Sequence, residues 1–232
     1  TTSAAAFEAE FPVACTLGTN CFFLNYFDRD SGPETRDHLC GNQTYEGHDA
    51  TDIAVPTWAA MTAGVDVRAA GTGTVLRLRD GETDGELLAG KSVAGRECGN
   101  GVVIDHGDGW TGLYCHLKQG SIAVKAGDQV SADTVLGQIG LSGATEHPHL
   151  HFELQKDGQS LDPFQPDPAE DCAIAPLDRD LWAQDLPTPA GGLLQAGFDR
   201  QVPDYKSIKS GTLPAPTPSR RNNLVLWAYG YG

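Results

Sequence analysis

Short apolar runs alternate with glycines through the middle of the chain, from about residue 48 to residue 165. The runs are rich in β-branched residues, and turn-forming residues separate them. Many short strands divided by turn signals are typical of an all-β domain. The pattern predicts strands near residues 73–76, 101–104, 121–124, 134–136 and 149–154.

A tight hairpin is predicted at Gly107-Asp108-Gly109, because glycine readily adopts the positive φ that such a turn requires. Strand 98–105 should then pair antiparallel with strand 111–117. This pairing brings Cys98 nearly opposite Cys115, within reach of a disulfide if the register is right. Two unrelated buried thiols are the alternative, which fits a secreted chain less well.

The segments on either side of this region differ from it in composition. Residues 1–47 hold three cysteines among turn formers, which indicates a loop-rich lead-in stapled by disulfides. Residues 166–192 are rich in Asp and Pro and are interpreted as a linker after the 48–165 domain. Residues 193–232 form a C-terminal extension that ends in an apolar, strand-like run. That run is either the start of a further β domain or a strand of the main sheet.

The charge of the chain argues against some classes of partner. The formal net charge is −15, from 31 acidic and 16 basic residues. Such a field repels polyanions, so we expect no nucleic-acid partner. No apolar run approaches the roughly 18 residues of a membrane helix, so we expect no membrane span.

Cysteine usage points to an oxidising compartment. Six cysteines without a Cys-x-x-Cys pair suit a secreted or periplasmic protein better than a zinc ribbon. The chain starts at Thr1 and its only methionine is Met61, so we expect that a secretory signal has been removed, with simple trimming as the alternative. The four cysteines outside the hairpin allow three pairings, namely among Cys15, Cys21, Cys40 and Cys172.

Three motifs carry candidate chemistry. In the first, His48 and Asp52 stand four residues apart in a glycine-led loop that runs into a strand. Imidazole and carboxylate are both good zinc ligands, although this spacing also arises by chance. In the second, His149 and His151 share one face of a strand whose other face is apolar. The third is His116, which taken singly is as well explained by a structural role.

Taken together, the three motifs explain why a strand carries polar imidazole rings, whose burial without partners would be unfavourable in free energy. Two imidazoles on one face of an apolar strand leave ring nitrogens to satisfy, and a metal ion would satisfy them. His48, Asp52 and His151 provide three protein ligands and leave the fourth tetrahedral position for water. That arrangement is typical of a catalytic zinc site.

The ordered motifs resemble the lysostaphin/LytM-type zinc endopeptidases over about residues 47 to 154, half of the chain. The resemblance implies an all-β fold, a β-sandwich-like antiparallel sheet with a narrow groove that holds zinc. It implies that His48, Asp52 and His151 bind the metal, and that His116 and His149 are catalytic without binding it. It also implies a peptidoglycan peptide as substrate.

The chain departs from the usual family pattern in three places, and two of them, His147 and the 81–98 loop, leave the substrate preference open. Ala50 and His147 stand where glycine is common, and the charged stretch 81–98 is a longer surface loop than usual. None of them removes a ligand. His38, which lies in the lead-in without a motif, and His106, in the turn-flanking His-Gly-Asp-Gly motif, are interpreted as structural.

The sequence therefore predicts a secreted or periplasmic zinc metalloendopeptidase that hydrolyses peptide cross-links of peptidoglycan. The alternative is a cell-wall-binding regulator of the same fold that is catalytically silent or autoinhibited. Inactive relatives are recognised by lost ligands, and all five key residues are present here.

Overall fold

The structure is a computed structural model that describes residues 7–168, 172, 180–213 and 224–232. Strands dominate these residues, and only two short helices accompany them. The elements are β1 (Phe22–Asn25), β2 (Thr51–Ala54), α1 (Trp58–Ala63), β3 (Asp66–Arg68), β4 (Gly73–Arg79), β5 (Asn100–Gly107), β6 (Trp110–Leu117), β7 (Gln129–Val130), β8 (Val135–Gln138), β9 (His149–Lys156), β10 (Gln159–Leu161), β11 (Gly192–Asp199), α2 (Tyr205–Ser210) and β12 (Val225–Tyr231).

An eight-stranded antiparallel sheet organises the molecule. Its strand order is β1-β2-β9-β6-β5-β4-β7, and β10 extends it by pairing with the end of β9. Two smaller antiparallel pairs, β3 with β8 and β11 with β12, lie outside this path. The predicted all-β, antiparallel fold class is confirmed.

The two faces of the large sheet differ in chemistry. On β9, Leu150, Phe152 and Leu154 are fully buried and belong to the hydrophobic core. His149 and His151 alternate with these residues along the strand and therefore point to the opposite face. The alternation of side chains between the two faces of a strand predicted this division. The sheet thus has one apolar face and one face that carries histidines.

The predicted hairpin is confirmed. β5 pairs with β6 in the register Asp105 to Thr111, and Gly107 pairs with Trp110. Asp108 and Gly109 form the two-residue turn with φ of 50° and 81°. Positive φ at both central residues matches the right-handed twist of the flanking strands.

The disulfide predicted across this hairpin is present. Cys98 and Cys115 are bonded, with their Cα atoms 4.9 Å apart. A Cβ on Gly101 would lie 2.8 Å from the Cys98 Sγ, so the bridge requires glycine there. The other bridges join Cys15 to Cys21 and Cys40 to Cys172, which selects one of the three pairings.

Removing the hairpin bridge is expected to lower the free energy of unfolding by about 3 kcal/mol, because the bond closes a loop of moderate length. The Cys98→Ala/Cys115→Ala variant should show this loss in denaturant-induced unfolding. The matched control is Cys15→Ala/Cys21→Ala, whose loop spans 6 residues rather than 17. Its loss should be smaller, about 2 kcal/mol. A larger loss in the control would contradict the chain-entropy argument.

The strand predicted at 121–124 was wrong. Ala123 N donates one backbone hydrogen bond to Leu136 O, while Ser121 N bonds back to Lys118 O in a turn. A single bond does not make a strand pair. Ile122 and Val124 pack against the core, which explains the apolar pattern without a strand.

The C-terminal apolar run does form a strand, β12, but it pairs with β11 and not with the main sheet. The centroid of its Tyr231 ring lies 4.4 Å from the centroid of the Phe22 ring on β1, so the hairpin contacts the edge of the large sheet.

In the Asp/Pro-rich stretch 166–192, residues 169–171 and 173–179 lie outside the described residues. Further along, Leu181 and Trp182 are buried in the core. Among the described helices, none has the length and apolarity to cross a membrane.

Candidate metal centre

The pairing of β2 with β9 builds the centre of the site. Asp52 stands directly opposite His151 in the antiparallel register, and Ala54 stands opposite His149. The Asp52 Oδ1 atom lies 3.1 Å from His151 Nδ1 and 3.4 Å from His149 Nε2. The two histidines predicted to share a face thus converge on the carboxylate of the neighbouring strand.

His48 enters the same cluster from the loop before β2. Its Nδ1 lies 2.6 Å from the Tyr26 carbonyl oxygen, which can only accept, so the proton sits on Nδ1. Its Nε2 lies 3.2 Å from Asp52 Oδ1 and is buried without a hydrogen-bond partner among the described residues. A lone pair facing a carboxylate in a buried site is unfavourable unless a cation lies between them.

The donor set fits zinc. One ligand atom each from His48, Asp52 and His151 lies within 4.8 Å of the others. Two imidazoles and one carboxylate form a ligand set found at catalytic zinc sites. The observation that indicates a cation here is that the unpartnered His48 Nε2 lies close to the Asp52 carboxylate oxygen.

His116 and His149 form a second pair beside these three residues, with ring centroids 4.7 Å apart. His116 Nδ1 lies 2.8 Å from the Ser142 carbonyl oxygen, and His149 Nδ1 lies 2.8 Å from the His147 carbonyl oxygen. Each carbonyl accepts the Nδ1 proton, so each ring, when it is neutral, keeps its lone pair on Nε2. Both rings are therefore held in the tautomer that can accept a proton.

A β-bulge places His116. The pairing of β5 with β6 shifts between Asn100 and Val102, where two residues of β6 oppose Gly101 alone. His116 occupies the bulge with φ of 60°, a strained conformation for a residue other than glycine. The preceding Cys115 is fixed by its disulfide, so the bulge turns the His116 ring toward the cluster.

The electrostatics set the charge states of this cluster. Burial raises the pKa of Asp52, but the charge of His149 and the hydrogen bonds from His149 and His151 outweigh it and hold the pKa well below its usual range. Burial and the nearby positive charges of His149 and His151 hold the pKa of His116 well below its usual range. The carboxylate is thus ionised and His116 is neutral near pH 7.

Sequence reasoning missed Asn25, which supports the cluster from the lead-in. β1 pairs with β2, and the Asn25 side-chain amide donates to Asp52 Oδ2 at 2.9 Å. It also missed Thr145, whose hydroxyl lies 3.2 Å from His149 Nδ1. No local motif marks either residue, because only the folded sheet brings Asn25 to Asp52.

Asn25→Ala is expected to weaken zinc binding by about ten- to a hundredfold, because Asp52 would lose the donor that orients it. Competition with a metal-binding dye measures this affinity. Asn42→Ala in the same lead-in is the matched control, since Asn42 is exposed. Equal affinities of Asn25→Ala and the unmodified protein would show that Asn25 does not orient the carboxylate.

The remaining histidines lie apart from the cluster. His106 Nδ1 bonds the Thr72 carbonyl oxygen at 2.8 Å. His147 Nε2 bonds the Val55 carbonyl oxygen at 2.9 Å, and burial lowers its pKa to about 4. His38 is buried and stacks on Phe164 with ring centroids 4.5 Å apart.

An antiparallel sheet that gathers two histidines and a carboxylate, with His116 and His149 beside them, provides the donor set of a metal centre. The sequence profile of peptidase family M23 matches residues 46–163. Since this match spans half of the chain, the chain belongs to peptidase family M23. The resemblance to lysostaphin/LytM-type peptidases is confirmed.

Two curated relatives and one solved structure illustrate the similarity. The cell division protein DipM of Caulobacter vibrioides is 37% identical over 107 residues, 46% of this chain and 16% of that protein. The peptidoglycan DD-endopeptidase ShyA of Vibrio cholerae is 32% identical over 114 residues, 49% of this chain and 21% of that protein. The catalytic domain of lysostaphin from Staphylococcus simulans is 22% identical with a TM-score of 0.39, covering 60% of this chain and 85% of that domain. The chain thus matches about a fifth of the length of these curated relatives.

Proposed function

We propose that this protein is a zinc endopeptidase that hydrolyses peptide cross-links of bacterial peptidoglycan. The observation that carries the proposal is that one ligand atom each of His48, Asp52 and His151 lies within 4.8 Å of the others, with His116 and His149 alongside. Membership in a peptidase family and the endopeptidase named among its relatives support the same reaction class.

In this proposal His48, Asp52 and His151 hold the metal. Zinc supplies Lewis-acid polarisation of the scissile carbonyl and lowers the pKa of water to about 7. The Tyr26 carbonyl and the Asn25 amide fix the orientations of His48 and Asp52 before the metal binds. This preorganisation lets the ligands meet the metal without rearranging.

His116 and His149 act on the substrate and on water. A neutral Nε2 can accept the proton of the attacking water and deliver it to the amine that leaves when the amide C–N bond breaks. Once protonated, the same Nε2 donates to the negative charge that develops on the carbonyl oxygen. The Ser142 and His147 carbonyls stabilise the protonated rings through Nδ1.

We place the protein outside the cytoplasm, secreted or periplasmic. Three disulfides among the described residues suit an oxidising compartment. The proposed substrate lies in the same compartment.

The second candidate is a wall-binding regulator that uses the same fold without hydrolysis. It is favoured by the name of one relative, which refers to cell division and not to an enzyme activity. Purified sacculi incubated with the zinc-loaded protein separate the two. We expect release of soluble fragments that a chelator stops and added zinc restores, whereas binding to sacculi without any release would favour the regulator.

A further inference from the structure

The histidine face of the large sheet continues beyond the metal centre to a cavity between β4, β5 and β6. Cys115 pairs with His151, and Leu113 pairs with Glu153 on the same face. Across the next pair of strands, Val103 stands opposite Leu113. Because paired residues point to the same side of a sheet, this face runs unbroken from β9 to β5.

Two arginines complete this face on β4. Arg77 pairs with Val103 and Arg79 pairs with Gly101, so both side chains leave the sheet on the side of the histidines. They border a cavity of about 320 Å³ whose lining also includes Leu113 and Cys98. The cavity therefore has an apolar, disulfide-lined floor and a cationic rim.

The two arginines differ in their freedom to bind a ligand. Arg79 Nε donates to the Gly99 carbonyl oxygen at 2.6 Å, which fixes its side chain. Backbone hydrogen bonds and, to a lesser extent, the positive charge of Arg79 lower the pKa of Glu97. Arg77 is exposed and makes no hydrogen bond or ion pair with any residue the structure describes. An unpaired guanidinium beside an apolar floor is a site for a carboxylate, since its planar fork binds carboxylates bidentately.

The spacing relates this cavity to the metal centre. Neighbouring strands lie about 4.8 Å apart, so β5 and β4 are roughly 10 to 15 Å from β9. An extended peptide advances about 3.3 Å per residue, so three or four residues span that distance. If a peptide is bound with its scissile amide at the metal centre, a side chain or terminus three or four residues from that amide would therefore lie near Arg77.

We propose that this cavity is a substrate subsite in which Arg77 binds a carboxylate of the stem peptide, a few residues from the scissile amide. The proposal rests on the function proposed above, which supplies the peptidic substrate. In a chain with a net charge of −15, an anionic substrate requires such a local cationic contact. Arg79 positions the rim, and Val103 and Leu113 contact the aliphatic part of the peptide.

Calorimetric binding of a synthetic stem tetrapeptide to the zinc-loaded protein tests the subsite without relying on hydrolysis. The peptide with free carboxylates should bind about ten- to a hundredfold more tightly than the same peptide with its carboxylates amidated. Arg77→Gln should remove most of that difference, and Arg77→Lys should retain part of it because the charge remains.

Arg68→Gln is the matched control, because it removes the same charge from β3, outside the histidine face. It should leave the preference for the free carboxylate unchanged. Equal affinity for the two peptides, an unchanged preference in Arg77→Gln, or an equal loss in Arg68→Gln would each overturn the subsite. Absence of sacculus hydrolysis would instead refute the enzymatic function while leaving this binding result intact.

Discussion

His149→Ala is expected to keep its zinc and lose nearly all wall-hydrolysing activity. The His149 ring lies beside the proposed ligands, and its Nδ1 proton is held by the His147 carbonyl, which leaves Nε2 for the attacking water. Removing a general base or a charge stabiliser costs on the order of 10² to 10⁴ in rate. Elemental analysis and fragment release from sacculi, measured on one preparation, give the two quantities.

His116→Ala should behave in the same way, because His116 is the partner of His149 and is not among the proposed ligands. His106→Ala is the control, since His106 lies outside the cluster and bonds the Thr72 carbonyl. It should retain both zinc and activity. Loss of zinc in His149→Ala would show that His149 is a ligand, and the division of roles would have to be redrawn.

His151→Ala is expected to lose both metal and activity. His151 Nδ1 faces Asp52 Oδ1 at 3.1 Å, and removing this ring leaves two of the three proposed ligands. A tetrahedral site with two protein ligands binds zinc far more weakly than one with three. Elemental analysis after dialysis against a weak chelator should find less than a tenth of the original zinc, by our order-of-magnitude expectation.

The comparison between His149→Ala and His151→Ala is the sharpest internal control the chain offers, because the two residues are two positions apart on one strand. Circular dichroism should show that both variants fold. If His151→Ala kept its zinc while His149→Ala lost it, the two roles would be reversed.

Local patterns were sufficient to predict part of this structure. The turn at Gly107-Asp108-Gly109 fixes the register of its own hairpin, and the register in turn places Cys98 near Cys115. The alternation of residues along β9 separates His149 and His151 from Leu150 and Phe152. Both predictions depend only on neighbours in sequence and on strand geometry.

Other parts of the site depend on contacts that sequence periodicity does not encode. Asn25 reaches Asp52 only because β1 pairs with β2, at a sequence separation of 27. The bulge that aims His116 arises from the mismatch between β5 and β6 near Gly101. Arg77 shares the histidine face only because β4 joins the sheet two strands beyond β6.

The error at residues 121–124 has a similar origin. An apolar run shows that side chains face a core, but a strand also needs a partner along its length. Ile122 and Val124 meet the first condition, but Ala123 alone forms a backbone-to-backbone hydrogen bond with β8. The run at the C-terminus met the second condition, because β11 precedes it and supplies a full antiparallel partner.

The decisive experiment for the proposed peptidase activity is mass spectrometry of the muropeptides released from defined peptidoglycan by the zinc-loaded protein. We expect cross-linked muropeptides to disappear and to be replaced by products with one new amine and one new carboxylate. His149→Ala, carrying the same amount of zinc, should give no such products. If the zinc-loaded protein leaves every peptide bond of the wall intact, or if His149→Ala releases the same products at the same rate, the proposed mechanism is contradicted.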